Sequence, residues 1–203
     1  MAFINTIAPR DASGEVRDMY VRQQGRWGYV PNYARVFCHR PEIMALWANL
    51  LAGIRRHIEP RRFELVTMAA ARELRNSACA LAHGQALTAF FAEAEVCAIA
   101  AGDLQALTAA DAAMVKFARQ VAADASAVTQ ADIDTLRRLG FSDAEIFDIV
   151  ATAAARAFFT KVLDGLGVLA DMSAASMPEA LRKALVVGRP ISGEANAIVA
   201  EEL

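Results

Sequence analysis

The stretch RELRNSACALAHGQ, residues 72–85, contains a helix start followed by a cysteine and a histidine among small apolar residues. Asn76, like the serine after it, is a good N-cap residue, so the chain is expected to pause there and continue as a helix over residues 78–94. Alanine dominates this run and has the highest helix propensity of all residues. Cys79 then lies in the first turn, and His83, four residues later, lies on the same helix face.

The segment before this stretch, EPRRFELVTMAAAR (59–72), predicts another helix, which Pro60 begins. If the break near Asn76 is tight, the two helices run antiparallel. With a rise of ~1.5 Å per residue, Glu64 would then lie ~5–7 Å further from the turn than His83. A carboxylate reaching along the groove, directly or through one water, could orient the imidazole as part of a proton relay.

The rest of the sequence also favours helix, because hydrophobic residues make up 56% of it and glycine and proline are sparse. Pro41 fits the first turn of a helix through residues 44–57. Sequences typical of capping boxes predict three later helix starts, at Thr108, Thr129 and Ser142. The last long helix is expected from Asp143 towards Gly165 or Gly167. These patterns predict an all-α fold, a single-domain helical bundle.

The predicted domain covers residues 1–170 and includes an N-terminal arm, in which a short helix is expected to break at Gly25, Gly28 and Pro31. Residues 171–203 are polar and interrupted by glycine and proline. We interpret them as a loosely held C-terminal tail with a short helix over PEALRKAL, residues 178–185.

Charge and cysteine content exclude several classes of function. The net charge is −2 with no basic stripe, which makes nucleic acid an improbable partner. No stretch approaches the ~20 apolar residues of a membrane span, and the N-terminus does not resemble a secretory signal. Three widely spaced cysteines do not form a disulfide framework, so a cytoplasmic setting is expected.

The spacing of Cys79 and His83 raises two alternatives. A thiol in the first turn of a helix has a lowered pKa, and a neighbouring imidazole can take its proton. Equally, a buried cysteine in an alanine-rich helix is often inert packing. Cys38 and Cys97 lack comparable neighbours. His39 and His57 have no cysteine or acid at ligand spacing, so neither a metal nor another cofactor is expected.

The order Glu64, eleven residues, Asn76, two residues, Cys79, three residues, His83 resembles a known signature. It is similar to the E-x11-C-x2-C-x3-H pattern of alkylhydroperoxidase AhpD-like proteins, in the carboxymuconolactone decarboxylase superfamily. The flanking segments resemble the uncharacterised peroxidase-related branch over residues 4–170; they are GYVPNYARVF, RRFELVTMAAAR and FSDAEIFDIVATAAARAFFTKVLDGLGV.

The resemblance implies roles for four residues. Cys79 would be the thiolate that meets peroxide, with His83 and Glu64 as its proton relay. Asn76 stands where the family has the first cysteine, so the position that would close a disulfide with Cys79 is vacant. The resemblance also implies a helical homo-oligomer, a trimer or hexamer, and a mean hydropathy of +0.27 is consistent with buried subunit contacts.

Three functions remain open from the sequence. The first is reduction of a hydroperoxide through one cysteine, which an external thiol would recycle. The second is acid/base chemistry by His83 and Glu64 on a small carboxylated or lactone substrate, for which Arg72 and Arg75 are suggestive neighbours. The third is a non-catalytic helical oligomer.

Overall fold

The computed structural model describes residues 2–193 of the chain, and within this range every regular element is helical. Ten α-helices follow one another in this range: α1 Gly14–Trp27, α2 Asn32–Val36, α3 Pro41–Arg55, α4 Pro60–Glu73, α5 Ser77–Leu87, α6 Glu93–Ala101, α7 Ala109–Asp124, α8 Gln130–Arg138, α9 Asp143–Gly165 and α10 Glu179–Leu185. An isolated β-bridge joins Ala170 and Ile191. The predicted all-α class is confirmed.

Helix α4 lies at the centre of the bundle. All nine residues from Phe63 to Ala71 are buried, and the helix packs against α5, α7 and α9. The chain reverses between α4 and α5 within three residues, where Arg75 takes a left-handed φ of 57° and Asn76 N–H donates to the Ala71 carbonyl at 2.9 Å. The predicted pause at Asn76 is therefore confirmed, and it brings α4 and α5 side by side.

The three predicted capping positions are confirmed as helix N-caps. Thr108 precedes α7, and its hydroxyl accepts from Asp111 N–H at 3.1 Å. Thr129 precedes α8 and Ser142 precedes α9. The hydroxyls of Thr108 and Ser142 each accept an N–H group that the helix leaves without an intrahelical partner, and at Thr129 the Asp132 carboxylate accepts the Thr129 N–H, which is why such starts are legible in the sequence.

Two predicted helix boundaries are wrong. Helix α1 continues through Gly25, the first of its predicted breaks, and ends at the second, Gly28, whose φ of 80° suits a helix C-cap. Burial of Met19 and Tyr20 holds this helix on the bundle despite the roughly 1 kcal/mol cost of an internal glycine. The helix expected over residues 78–94 is two helices, because Thr88 donates its hydroxyl to the Gln85 carbonyl at 2.7 Å and the chain turns before α6.

The described part of the C-terminal segment is held firmly. Leu181 and Leu185 of α10 are buried against the bundle, and α10 packs on α5 and α6. Gly84 of α5 makes room for Leu185, since a Cβ there would collide with the leucine methyl groups. The expected short helix is present, but the expectation of a loose tail is wrong for residues 171–193. The remainder of that predicted tail lies outside the described residues.

Within the described part of the chain, no helix is long and apolar enough to cross a membrane.

Candidate functional site

The α4–α5 pair brings Glu64 and His83 into direct contact. Glu64 Oε2 lies 2.5 Å from His83 Nδ1, which is the direct one of the two arrangements that the helix geometry allowed. The Glu64 side chain is buried and the imidazole is largely so. The carboxylate therefore fixes the ring, and a hydrogen bond to it places the ring proton on Nδ1, leaving the Nε2 lone pair available as a proton acceptor.

A second basic group approaches the same carboxylate from the surface. Arg55, at the end of α3, places Nη2 3.4 Å from Glu64 Oε1, and its guanidinium lies 4.9 Å from the centre of the Phe63 ring. The Phe63 ring meets the His83 imidazole edge-on. Because the Arg55 side chain is half exposed, its ion pair contributes about 1 kcal/mol or less to stability.

Asn76 places Cys79 in the first turn of α5. Asn76 Oδ1 accepts the backbone N–H of Cys79 at 2.9 Å, which is an ordinary N-cap bond. The same side chain is hydrogen-bonded to the carboxylate of Asp164, near the end of α9. Asn76 is only 1% exposed, so its side chain is a buried connector between α5 and α9.

The residue that sequence reasoning missed is Arg156. It comes from the middle of α9, is 3% exposed, and donates from Nη1 to the Cys79 sulfur at 3.4 Å. Its guanidinium lies 5.6 Å from the ring centres of Trp47 and Phe159. The signal that could have found it is a charged residue inside the apolar run IVATAAARAFF, residues 149–159.

Burial raises the pKa of the Cys79 thiol above its ordinary value, opposed by Arg156 and reinforced by Asp164. The expectation that the helix terminus and His83 would lower this pKa is wrong. A helix terminus contributes roughly 1 kcal/mol, whereas removing a thiolate from water costs more. The resting sulfur is consequently a thiol at neutral pH.

Burial also lowers the pKa of His83, to about 4, with Arg156 acting in the same direction and Glu64 opposing both. The imidazole is therefore neutral at pH 7. Among residues 2–193, the hydrogen bond to the Cys79 sulfur comes from Arg156, and none joins that sulfur to His83. Arg156 thus acts on both the thiol and the imidazole, which are not hydrogen-bonded to each other.

The other candidates lie elsewhere. Arg72 donates to the Ala184 carbonyl and Arg75 to the Val187 carbonyl, so both hold the C-terminal segment instead of the site. Cys38 is buried, and its sulfur accepts the backbone N–H of Ile7 at 3.4 Å. No group of three His, Cys, Asp or Glu side chains in the described residues is arranged to hold a metal ion.

Solved structures with the same architecture are known, although a scan against protein-family models and a search of curated proteins find no match. An AhpD-core, uncharacterised peroxidase-related protein from Ralstonia eutropha JMP134 matches with a TM-score of 0.74 and 21% identity, over 87% of this chain and 95% of that one. An uncharacterised peroxidase-related protein from Silicibacter sp. TM1040 matches with a TM-score of 0.71 and 17% identity, over 80% and 88%.

A third similar structure is the debrominase Bmp8, in complex with 2,3,4-tribromopyrrole. It matches with a TM-score of 0.65 and 15% identity, over 90% of this chain and 95% of that one. These likenesses establish that the chain has the AhpD-like fold of the peroxidase-related proteins, as the resemblance in the sequence predicted.

Proposed function

We propose that the protein is a thiol-dependent oxidoreductase that reduces hydroperoxides through Cys79 alone. The observation that carries this proposal is the guanidinium of Arg156 on the Cys79 sulfur, one helical turn from the His83 imidazole that Glu64 holds. A cation fixed beside a buried sulfur favours the charged thiolate, which is the reactive form. Inert core cysteines have no need of such a neighbour.

In the first step the Cys79 proton passes to the neutral His83, whose ring Glu64 orients. The sulfur then attacks the terminal oxygen of the hydroperoxide, forming an S–O bond as the O–O bond breaks. The departing alkoxide takes the proton back from His83 and leaves as an alcohol. Cys79 is oxidised by two electrons to a sulfenic acid, and no net proton is consumed.

The second half of the cycle requires a thiol from solution, because Asn76 cannot form a disulfide. One external thiol condenses with the sulfenic acid to a mixed disulfide and releases water. A second external thiol displaces Cys79 from it, giving a small-molecule disulfide and the restored Cys79 thiol.

The test is mass spectrometry of Cys79 after stoichiometric hydroperoxide, with Cys79→Ser as the matched control. We expect a gain of one oxygen at Cys79, removal of that oxygen by added thiol, and no peroxide consumption by Cys79→Ser. If Cys79 stays unmodified while free glutathione is oxidised under the same conditions, the proposal fails.

The second candidate is acid/base chemistry by His83 and Glu64 on an anionic substrate. The observation that favours it is the presence of two arginines beside the imidazole, Arg55 and Arg156. Turnover of a small carboxylated or lactone substrate that survives in Cys79→Ser and is lost in His83→Gln would support it. A brominated pyrrole belongs in the same substrate panel, because the debrominase shares the fold.

Homo-oligomer formation is also part of the proposal. Helix α3 exposes 64% of Leu46 and 56% of Leu50, and the adjacent α9 exposes 68% of Phe147. Large apolar side chains left exposed on packed helices are typical of subunit contacts. Light scattering at micromolar concentration should report a trimer or hexamer, whereas a monomer would contradict this. Three free cysteines agree with the proposed cytoplasmic setting.

A further inference from the structure

Arg156 is a buried cation whose charge has no carboxylate partner among the described residues. Its guanidinium donates one hydrogen bond there, to the neutral Cys79 thiol, and its Nε is buried with no acceptor. A buried charge is costly unless an opposite charge and hydrogen bonds compensate it. Arg35 and Arg189 also have a buried Nε without an acceptor, but Arg156 is 3% exposed and has no carboxylate partner in the described residues, and this combination points to an absent partner.

The carboxylates nearest the site are already engaged. The two oxygens of Glu64 are taken by His83 and Arg55. Asp164 has its own cation, Arg189, at 3.8 Å, and accepts a hydrogen bond from the Asn76 side chain.

With His83 and Cys79 neutral, the site contains the cations Arg55 and Arg156 against the carboxylate of Glu64. Within the described part of the chain, the arrangement is one negative charge short. An anion placed against Arg156 would balance it and would lie beside the reactive sulfur.

We propose that Arg156 binds an anionic group of the substrate, so that the molecule reduced at Cys79 is a small carboxylate-bearing hydroperoxide. This inference rests on the proposed function. A guanidinium fork suits a carboxylate, because two N–H groups can donate to its two oxygens. The rings of Trp47 and Phe159 beside it exclude water and strengthen that attraction.

The test uses two alkylating agents that differ in charge, iodoacetate and iodoacetamide. In both reactions the Cys79 thiol gives its proton to water, the sulfur forms a bond to the CH2 carbon, and the C–I bond breaks with iodide carrying away the electron pair. The rates at Cys79 are followed by mass spectrometry of its peptide, and their ratio cancels effects on thiolate content. We expect the iodoacetate-to-iodoacetamide ratio to be roughly tenfold higher in the native protein than in Arg156→Gln, with Arg156→Lys between them.

A competition experiment needs no variant and so remains informative if Arg156→Gln fails to fold. Acetate should slow alkylation of native Cys79 by iodoacetamide at fixed ionic strength, and acetamide at the same concentration should not. Equal ratios in native protein and folded Arg156→Gln, or equal effects of acetate and acetamide, overturn the anion site. If the charge preference is found but Cys79 never consumes peroxide, the proposed function fails and the anion site stands.

Discussion

The two arginines of the site show how differently one residue type can act at two depths. Arg55 is half exposed and pairs with Glu64, so water screens its charge and the ion pair adds little. Arg156 is buried beside aromatic rings, and its hydrogen bond within the described residues goes to the Cys79 sulfur. A charge that water cannot screen acts strongly on its neighbour. The reactivity of the site should therefore depend on the inner arginine far more than on the outer one.

Replacing each arginine in turn is the sharpest test of that comparison. Arg156→Gln should reduce the rate of Cys79 oxidation by hydroperoxide by about 100-fold or more, because the thiolate loses its cation. Arg55→Gln should reduce it by about threefold or less. Stopped-flow measurement of peroxide consumption gives both rates, with the exposed Arg22→Gln as the surface control.

A thermal melt must first show that Arg156→Gln is folded. The pH dependence of iodoacetamide alkylation should also move to higher pH in this variant, which a purely structural role for Arg156 would not produce. Equal losses of oxidation rate in Arg156→Gln and Arg55→Gln would contradict the prediction that the buried arginine matters more than the exposed one.

The pH dependence of stability tests whether burial lowers the pKa of His83. Its pKa is about 4 in the folded protein and 6.5 for an ordinary histidine, so between these values the unfolded chain binds more protons. The His83 contribution to the free energy of unfolding should thus fall as the pH falls from about 6.5 to 4, by roughly 3 kcal/mol.

Urea titrations at several pH values in this range give the free energy of unfolding of the native protein and of His83→Gln. The difference between their slopes against pH measures the His83 contribution. A native curve parallel to that of His83→Gln would show that the imidazole titrates normally.

The relay is tested through the residue that orients the ring. Glu64→Gln retains the size and burial of the side chain but removes its charge, so His83 loses its fixed tautomer and its best acceptor. We expect a loss of about tenfold in peroxide rate, smaller than for Arg156→Gln. Glu59→Gln, at the exposed N-cap of α4, is the matched control and should leave the rate unchanged. A Glu64→Gln rate equal to that of the native protein would remove Glu64 from the mechanism.

The contact between Glu64 and His83 could be predicted from the sequence, because a tight turn joins the two helices and the spacing sets the neighbours. The same is true of helix starts such as Ser142, where a short polar side chain caps the backbone locally. Arg156 could not be found in this way. It lies 77 residues from Cys79 along the chain, and only the packing of α9 against α4 brings it to the site.

Burial is the other property that the sequence did not supply. The position of Cys79 in its helix predicted a lowered pKa. The direction of the pKa shift, however, depends on how much water the folded bundle excludes from the thiol.

The smallest expected effect concerns Asn76, where capping and redox chemistry compete for one position. Asn76→Cys removes the hydrogen bond to Cys79 N–H and the one to Asp164, and loss of an N-cap costs about 1 kcal/mol. The reduced variant should therefore unfold at a lower urea concentration than the native protein.

After oxidation Asn76→Cys should instead unfold at a higher urea concentration than the native protein. The introduced thiol could form an intramolecular disulfide with Cys79 in place of the sulfenic acid. Asn76→Ser is the matched control, because it keeps a capping oxygen and has no thiol. Mass spectrometry after one equivalent of peroxide should show a loss of two hydrogens in Asn76→Cys and a gain of one oxygen in Asn76→Ser. If Asn76→Cys also gains oxygen, the buried helix start holds the two sulfurs apart, and the native asparagine is there for packing rather than in place of a resolving thiol.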